Sequence, residues 1–211
     1  MKKAVVFDFG AVLIDWSPYH LYRKLLPSDD AIREFLEEIK FSEFNPRLDA
    51  GYPFVKMAAE LTEKYPQRRE LVQAFFDRWT ESSGDTIQPT VDIMLEIKAA
   101  GYPVYGLSNW STESFPWVKH KYTFLPQLDD YLLSGMVGVA KPDAEIFRLF
   151  LQRIDRRAED CVFIDDSQAN IDAANRLGFT GLLYTTPQRL RSDLEYMRIL
   201  EKNGVTISND N

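Results

Sequence analysis

Val5-Val6-Phe7-Asp8-Phe9-Gly10-Ala11-Val12-Leu13 opens as a short apolar run rich in β-branched residues, the composition of a buried strand. One carboxylate, Asp8, ends the run. Two residues later Gly10 lets the chain turn sharply and brings backbone close to whatever Asp8 faces. An acid in that position costs free energy unless something pairs with it. The rest of the chain has to supply those partners.

Downstream, Asp15-Trp16-Ser17-Pro18 reads as a turn and a helix start. From there to about Gln88 the pattern is helical, with no convincing strand. Ile32, Phe35, Leu36 and Ile39 fall at i, i+3, i+4 and i+7. Phe54, Met57, Ala58 and Leu61 repeat that spacing, as do Val72, Phe75, Phe76 and Trp79. Each set is one apolar helix face, read as helical core rather than as a cofactor site. Asn45-Pro46-Arg47-Leu48-Asp49-Ala50-Gly51 is a polar break, read as a loop between helices in preference to a substrate-facing loop carrying Arg47.

From Pro89 the pattern changes to strand–helix alternation. Val91 to Ala100 is a helix closed by Gly101, and Val104 to Leu107 a strand ending in Ser108-Asn109. Trp110 to about Lys121 is a loop and a helix interrupted by Pro116; Tyr131 to Leu133 is a short strand. Lys141-Pro142-Asp143 precedes a helix to about Ile154, with Pro and Asp suited to a helix entrance. Cys161 to Ile164 is a strand ending in Asp165-Asp166-Ser167, and Gln168 to Leu177 a helix closed by Gly178. Thr180 to Tyr184 and Gln188 to Leu200 are the last strand and helix; Asn203 to Asn211 is a polar tail expected to fray.

Apolar strands alternating with helices give an α/β fold, a parallel sheet covered on both faces. Such sheets bind ligands outside the carboxyl ends of their strands. Asp8, Ser108-Asn109 and Asp165-Asp166 each directly follow an apolar strand, so they gather on one edge, and Lys141 reaches the same edge. The helical stretch of residues 16–88 leaves from that edge and is expected to sit over it as a lid.

The bulk properties limit the partners. A chain of 211 residues is one domain, with room for a sizeable insertion. A net charge of −7, with Lys and Arg dispersed, argues against a nucleic acid or an anionic membrane as partner. The single cysteine, Cys161, lies in an apolar run and reads as a core thiol. Met1-Lys2-Lys3 before an apolar stretch imitates a signal peptide, but Asp8 interrupts that stretch and no small-residue cleavage site follows. No apolar run reaches the ~18 residues that span a membrane. A cytoplasmic location is the expectation.

Three carboxylates on one edge repel each other, and one lysine cannot neutralise them. A hard divalent cation can. Mg²⁺ takes oxygen ligands and is commonly held by one or two carboxylates plus phosphate oxygens. Asp8, one or both of Asp165 and Asp166, and a backbone carbonyl near Gly10 suit it. Ser108 and the nearby backbone N–H groups, with Lys141, are donors for a phosphoryl group. Asp8, between metal and phosphate, is placed to attack phosphorus. Asn109 adds a polar group to the phosphate side or shapes the loop. His20 and His120 lack partner motifs and carry no assigned chemistry. Trp110 either walls the pocket or packs.

These residues also carry a resemblance. Phe7-Asp8-Phe9-Gly10-Ala11-Val12-Leu13 resembles the first motif of the haloacid dehalogenase-like (HAD) hydrolases, Leu107-Ser108-Asn109 the second and Lys141-Pro142-Asp143 the third. Ile164-Asp165-Asp166-Ser167-Gln168-Ala169-Asn170 resembles the fourth. The four occur in family order and cover nearly the whole chain. The resemblance implies a Rossmann-like core of residues 1–15 and 89–211, a helical cap of residues 16–88, an aspartyl-phosphate intermediate and Mg²⁺. The substrate it implies is a small phosphorylated metabolite, such as a sugar phosphate.

One position departs from the family. Most of its phosphatases carry a second aspartate two residues after the nucleophile, which protonates the leaving group and then activates water. Here that residue is Gly10, which has no proton to give. General acid–base help is worth about 10²–10⁴-fold, so its loss slows turnover or favours good leaving groups. A similar glycine occurs in a bacterial branch resembling α-D-glucose-1-phosphate phosphatase. Two other readings remain: a metal-independent 2-haloacid dehalogenase, and a catalytically impaired binding module. Dehalogenases of the family lack the acidic pair that Asp165-Asp166 supplies, which favours the phosphatase. Intact nucleophile, phosphate and metal positions argue against the impaired module.

Overall fold

A computed structural model describes residues 2–201. The tail expected to fray, Asn203 to Asn211, lies outside them. In chain order come β1 (Ala4–Phe7), β2 (Ile14–Trp16), α1 (Pro18–Tyr22), α2 (Asp29–Glu38), α3 (Phe41–Asp49), α4 (Phe54–Lys64) and α5 (Arg69–Asp77). Then follow β3 (Ser83–Thr86), α6 (Gln88–Ala99), β4 (Val104–Ser108), α7 (Phe115–Val118), β5 (Asp130–Leu133) and α8 (Ser134–Val137). The last elements are α9 (Ala144–Ile154), β6 (Cys161–Asp165), α10 (Gln168–Arg176), β7 (Thr180–Leu183) and α11 (Pro187–Tyr196).

The opening strand lies at the centre. β1 pairs in parallel with β4 on one side and β6 on the other, in a five-stranded sheet of order β5-β4-β1-β6-β7. All four of its residues are fully buried. Alternation splits them between two cores. Val5 and Phe7 join Val91, Met94 and Ile97 of α6 and Leu190 and Leu194 of α11. Ala4 and Val6 join Ile146, Phe147 and Phe150 of α9 and Ile171 and Ala174 of α10. Burying each large apolar side chain contributes roughly 1.5–3 kcal/mol. With the sheet covered on both faces, the Rossmann-like α/β expectation holds. The strand order reverses at β1, which puts the ligand crevice at its carboxyl end.

Two local expectations need correction. The stretch to Gln88 does contain a strand: β3 pairs antiparallel with β2, matching Ile14 to Thr86 and Trp16 to Ser83. The ribbon hides in the sequence because Ser83-Gly84-Asp85-Thr86 has no apolar alternation. It is held instead by backbone bonds, extended by Ser17 N to Ser82 O at 2.9 Å and Ile87 N to Leu13 O at 2.9 Å. The ribbon thus ties together the two ends of the inserted helices. The second correction is Asn45–Gly51, which is not a loop over most of its length but the latter part of α3, with Pro46 inside the helix. Phe44 and Leu48, at i and i+4, bury one face of that helix, and this tertiary packing outweighs the proline.

The inserted helices share the core of the sheet's β1 face. Ile32, Phe35, Phe75 and Trp79 belong to the same apolar cluster as Phe7 and Phe9. An aromatic seam joins them: Phe9 to Trp110 at 6.4 Å, Trp110 to Trp79 at 6.0 Å, and Trp79 to Phe54 at 6.4 Å between ring centroids.

The ribbon can be tested at Gly84, where an added Cβ would lie 2.4 Å from the Asp15 carbonyl oxygen. Gly84→Ala should destabilise the fold by about 1–3 kcal/mol, the usual cost of overpacking. A urea midpoint unchanged from wild type would show that the ribbon is not packed this way.

Candidate active site

Three neighbouring strand ends build the site. Asp8 directly follows β1, Ser108 ends β4, and Asp165 ends β6 with Asp166 next. Lys141 comes from the segment before α9, whose entrance is capped by Asp143 accepting from Glu145 N at 2.8 Å.

Lys141 is the centre of the arrangement. It is 4% exposed, and its ammonium spends all three donors inside the protein. Nζ lies 2.9 Å from Asp8 Oδ1, 2.7 Å from Asp165 Oδ2 and 2.8 Å from the Leu107 carbonyl oxygen. Its main chain is clamped by Asn109: Lys141 N donates to Asn109 Oδ1 at 2.8 Å, and Asn109 Nδ2 donates to Lys141 O at 2.9 Å.

The two carboxylates on Lys141 are held differently. Asp165 is fully buried, and both its oxygens are engaged. Ser167 N donates to Oδ1 at 2.8 Å, and Asn170 Nδ2 lies 3.0 Å from each oxygen. Asp8 Oδ1 accepts from Phe9 N at 2.7 Å as well as from Lys141. Asp8 Oδ2 accepts no hydrogen bond from the described residues. Asp166 stands at the exposed side of the group. One carboxylate oxygen from each of Asp8, Asp165 and Asp166 lies within 4.8 Å of the others.

This geometry sets the electrostatics. Burial pushes the Asp8 carboxyl up, Lys141 opposes it, and Asp165 adds to the rise, leaving a pKa of about 6. Burial alone would push the Lys141 ammonium down, but Asp8 and Asp165 outweigh it and hold it above its ordinary value. Asp166 is raised by burial and by Asp165.

A cavity of about 90 Å³ covers the group. Asp8, Gly10, Ser108, Asn109 and Trp110 line it from the sheet side; Trp16, Asn45, Asp49 and Trp79 close it from the ribbon and the inserted helices. The Gly10 side is open, since a Cβ there would meet nothing within 4 Å.

A family model described as haloacid dehalogenase-like hydrolase matches residues 2–178. The chain belongs to that family. Among curated relatives of this HAD chain, the sesquiterpene phosphatase astK of Aspergillus oryzae is 26% identical, over 87% of the chain and 90% of the relative. The drimenol cyclase drtB of Aspergillus calidoustus is 28% identical over 92% of the chain, which spans only 36% of that relative's length. A HAD family enzyme of Bacteroides thetaiotaomicron, solved in complex with magnesium and inorganic phosphate, shares the fold. Its TM-score is 0.64 at 21% identity, covering 88% of this chain and 95% of that one.

The structure brings Asp8, Lys141, Asp165 and Asp166 together, with Gly10, Ser108 and Asn109 around the cavity above them. Trp110 both walls the cavity and packs in the aromatic seam. Arg47 is not part of the cavity lining: it lies over the Tyr52 ring at 4.4 Å and 3.5 Å from Glu60. His20 pairs with Asp15 on the ribbon at 3.1 Å. Cys161 is a core thiol, its pKa pushed up to about 11 by burial. Sequence patterning gives no part to Asn170 and Asp49, which the fold brings to the site. Asn170 lies in the first turn of α10, five residues after Asp165, where its amide reaches back to that carboxylate. Asp49 was hidden by the reading of its segment as a loop.

Removing one partner of a buried ion pair costs about 3–5 kcal/mol, so Lys141→Met should lower stability by that amount in a urea titration. The raised Asp8 value also fixes a sign. It titrates at 3.8 by ordinary behaviour and about 6 in the fold. Between those values the folded state holds the extra proton, so its contribution is full below pH 4 and is lost as pH rises through about 6. Asp8→Asn should flatten that fall in chelator-treated protein; an unchanged slope would contradict the assignment.

Proposed function

We propose that this chain is a Mg²⁺-dependent phosphatase of small phosphate monoesters, sugar phosphates among them, working through an aspartyl-phosphate on Asp8. One observation carries the reading: Asp8 and Asp165 share a buried ammonium, with Asp166 beside them, and Asp8 lines a small cavity together with Ser108. The name of the relative astK, a phosphatase, supports it.

The donor set fits a hard cation: three carboxylates, all oxygen, against one lysine. Asp8, Asp166 and the Gly10 carbonyl would hold the Mg²⁺. Asp165 backs them, its oxygens committed to Lys141, Ser167 and Asn170. When bound, the metal neutralises negative charge on the phosphoryl group and the carboxylates.

The chain's own residues do the rest. Lys141 and Phe9 N fix Asp8 through Oδ1, which leaves Oδ2 to meet phosphorus or the metal. The Ser108 hydroxyl donates to a phosphoryl oxygen, and Lys141 adds positive charge there. Asn109 positions Lys141 through its two bonds to that residue's main chain. Residues 16–88 act as the cap over a core of residues 1–15 and 89 onward, keeping bulk water from the reacting atoms.

The test is phosphate release from a panel of phosphate esters, with Mg²⁺ or chelator, in wild type and Asp8→Asn. The expected result is release that needs Mg²⁺ and falls at least about 10³-fold in the variant, as for loss of a nucleophile. Halide release from 2-haloacids without metal would replace this reading with the dehalogenase one.

A further inference from the structure

The first motif leaves a gap that the inserted helices fill. Gly10 stands where a proton donor would serve an alcohol leaving group, yet the cavity does hold a carboxyl besides those gathered on Lys141. Asp49, on the last turn of α3, lines it together with Asp8 and Ser108. We propose that Asp49 is the general acid and base of this enzyme, supplied from the inserted helices in place of the residue missing at Gly10. The proposal rests on the phosphatase reading above.

Three features fix Asp49 in that place. Its main chain is latched to the sheet side: Ser134 Oγ donates to Asp49 O at 2.5 Å and accepts from Trp110 N at 2.8 Å. Ser134 is fully buried, so the latch is part of the packed structure. Backbones approach closely beside it, where a Cβ on Gly135 would lie 2.5 Å from Thr112 N. The side chain is oriented from within α3, where Asn45 Nδ2 donates to Asp49 Oδ2 at 3.1 Å. That leaves Oδ1 without a hydrogen bond among the described residues. Finally, the space beside Gly10 is open, and Asp8 and Asp49 line the same cavity there.

Burial raises the Asp49 carboxyl well above its ordinary value, and Asp8 adds to the rise. Both effects favour the protonated form that a general acid needs before the reaction.

The chemistry balances in two steps. Asp8 attacks phosphorus, the bond from phosphorus to the ester oxygen breaks, and its electron pair goes to that oxygen. The Asp49 proton moves to the same oxygen, releasing the alcohol and leaving a carboxylate on Asp49 and an acyl phosphate on Asp8. Water then attacks phosphorus while giving a proton to Asp49. The bond from phosphorus to Asp8 breaks, inorganic phosphate leaves, and both carboxyls return to their starting forms.

The dependence on the leaving group separates this role from a structural one. A good leaving group such as p-nitrophenolate needs no proton, whereas an alkoxide does. In Asp49→Asn, phosphorylation of Asp8 by an alkyl phosphate should slow about 10²–10⁴-fold, and phosphorylation by p-nitrophenyl phosphate by less than about 10-fold. Both are read as single-turnover rates of alcohol or phenol release. Because the second step lacks its base, p-nitrophenyl phosphate should give a burst of phenol in the variant. Adding Gly10→Asp should restore part of the alkyl phosphate rate. Equal loss with both substrates, or no loss with either, would overturn the role of Asp49 while leaving the phosphatase reading in place. A wild type that releases no phosphate from any ester would overturn both.

Discussion

One buried ammonium organises this molecule. Lys141 brings Asp8 and Asp165 to within hydrogen-bond distance of a single nitrogen in a setting with almost no solvent. Two carboxylates so close and so buried would otherwise drive each other toward protonation. The lysine has no freedom to leave, because Leu107 O takes its third proton and Asn109 grips its main chain on both sides. The pairing in turn requires the sheet order. Only with β1 between β4 and β6 do Asp8, Ser108 and Asp165 end side by side.

The charge balance is still unequal, with three carboxylates against one lysine. Asp165 is fully satisfied by Lys141, Ser167 and Asn170, so the unmet demand falls on Asp8, which lines the cavity, and on the exposed Asp166. A site built for stability alone would not leave Asp8 with a raised pKa and an unbonded oxygen. The inserted helices meet the sheet side through an aromatic seam and through hydrogen bonds, among them Ser134 Oγ to Asp49 O and Phe54 N to a Glu113 carboxylate oxygen. The cavity is therefore small and partly apolar, with its polar groups on opposite walls.

Much of this was legible in the sequence. Each strand that carries a site residue is a short apolar run, and a buried parallel sheet demands that pattern. The rule that ligands gather at strand ends then placed Asp8, Ser108 and Asp165-Asp166 together without any coordinates. What stayed hidden was held by backbone or by tertiary packing. The β2–β3 ribbon has no side-chain pattern, because main-chain bonds and the close approach of Gly84 to Asp15 hold it. The helix α3 crosses a proline, and Phe44 and Leu48 keep it helical only by packing against the rest of the inserted helices. Asp49 becomes visible only once that helix is in place, since nothing in its local sequence shows that it shares a cavity with Asp8.

The nucleophilic role proposed for Asp8 is tested most directly by the fate of its side chain during turnover. Protein mixed with Mg²⁺ and an excess of a substrate ester, quenched in acid within one turnover and digested, can be examined by mass spectrometry. With Asp8 as nucleophile, the peptide carrying Asp8 bears a phosphoryl group, absent when Mg²⁺ is withheld. Turnover at full rate with that peptide unmodified at every time point would contradict it.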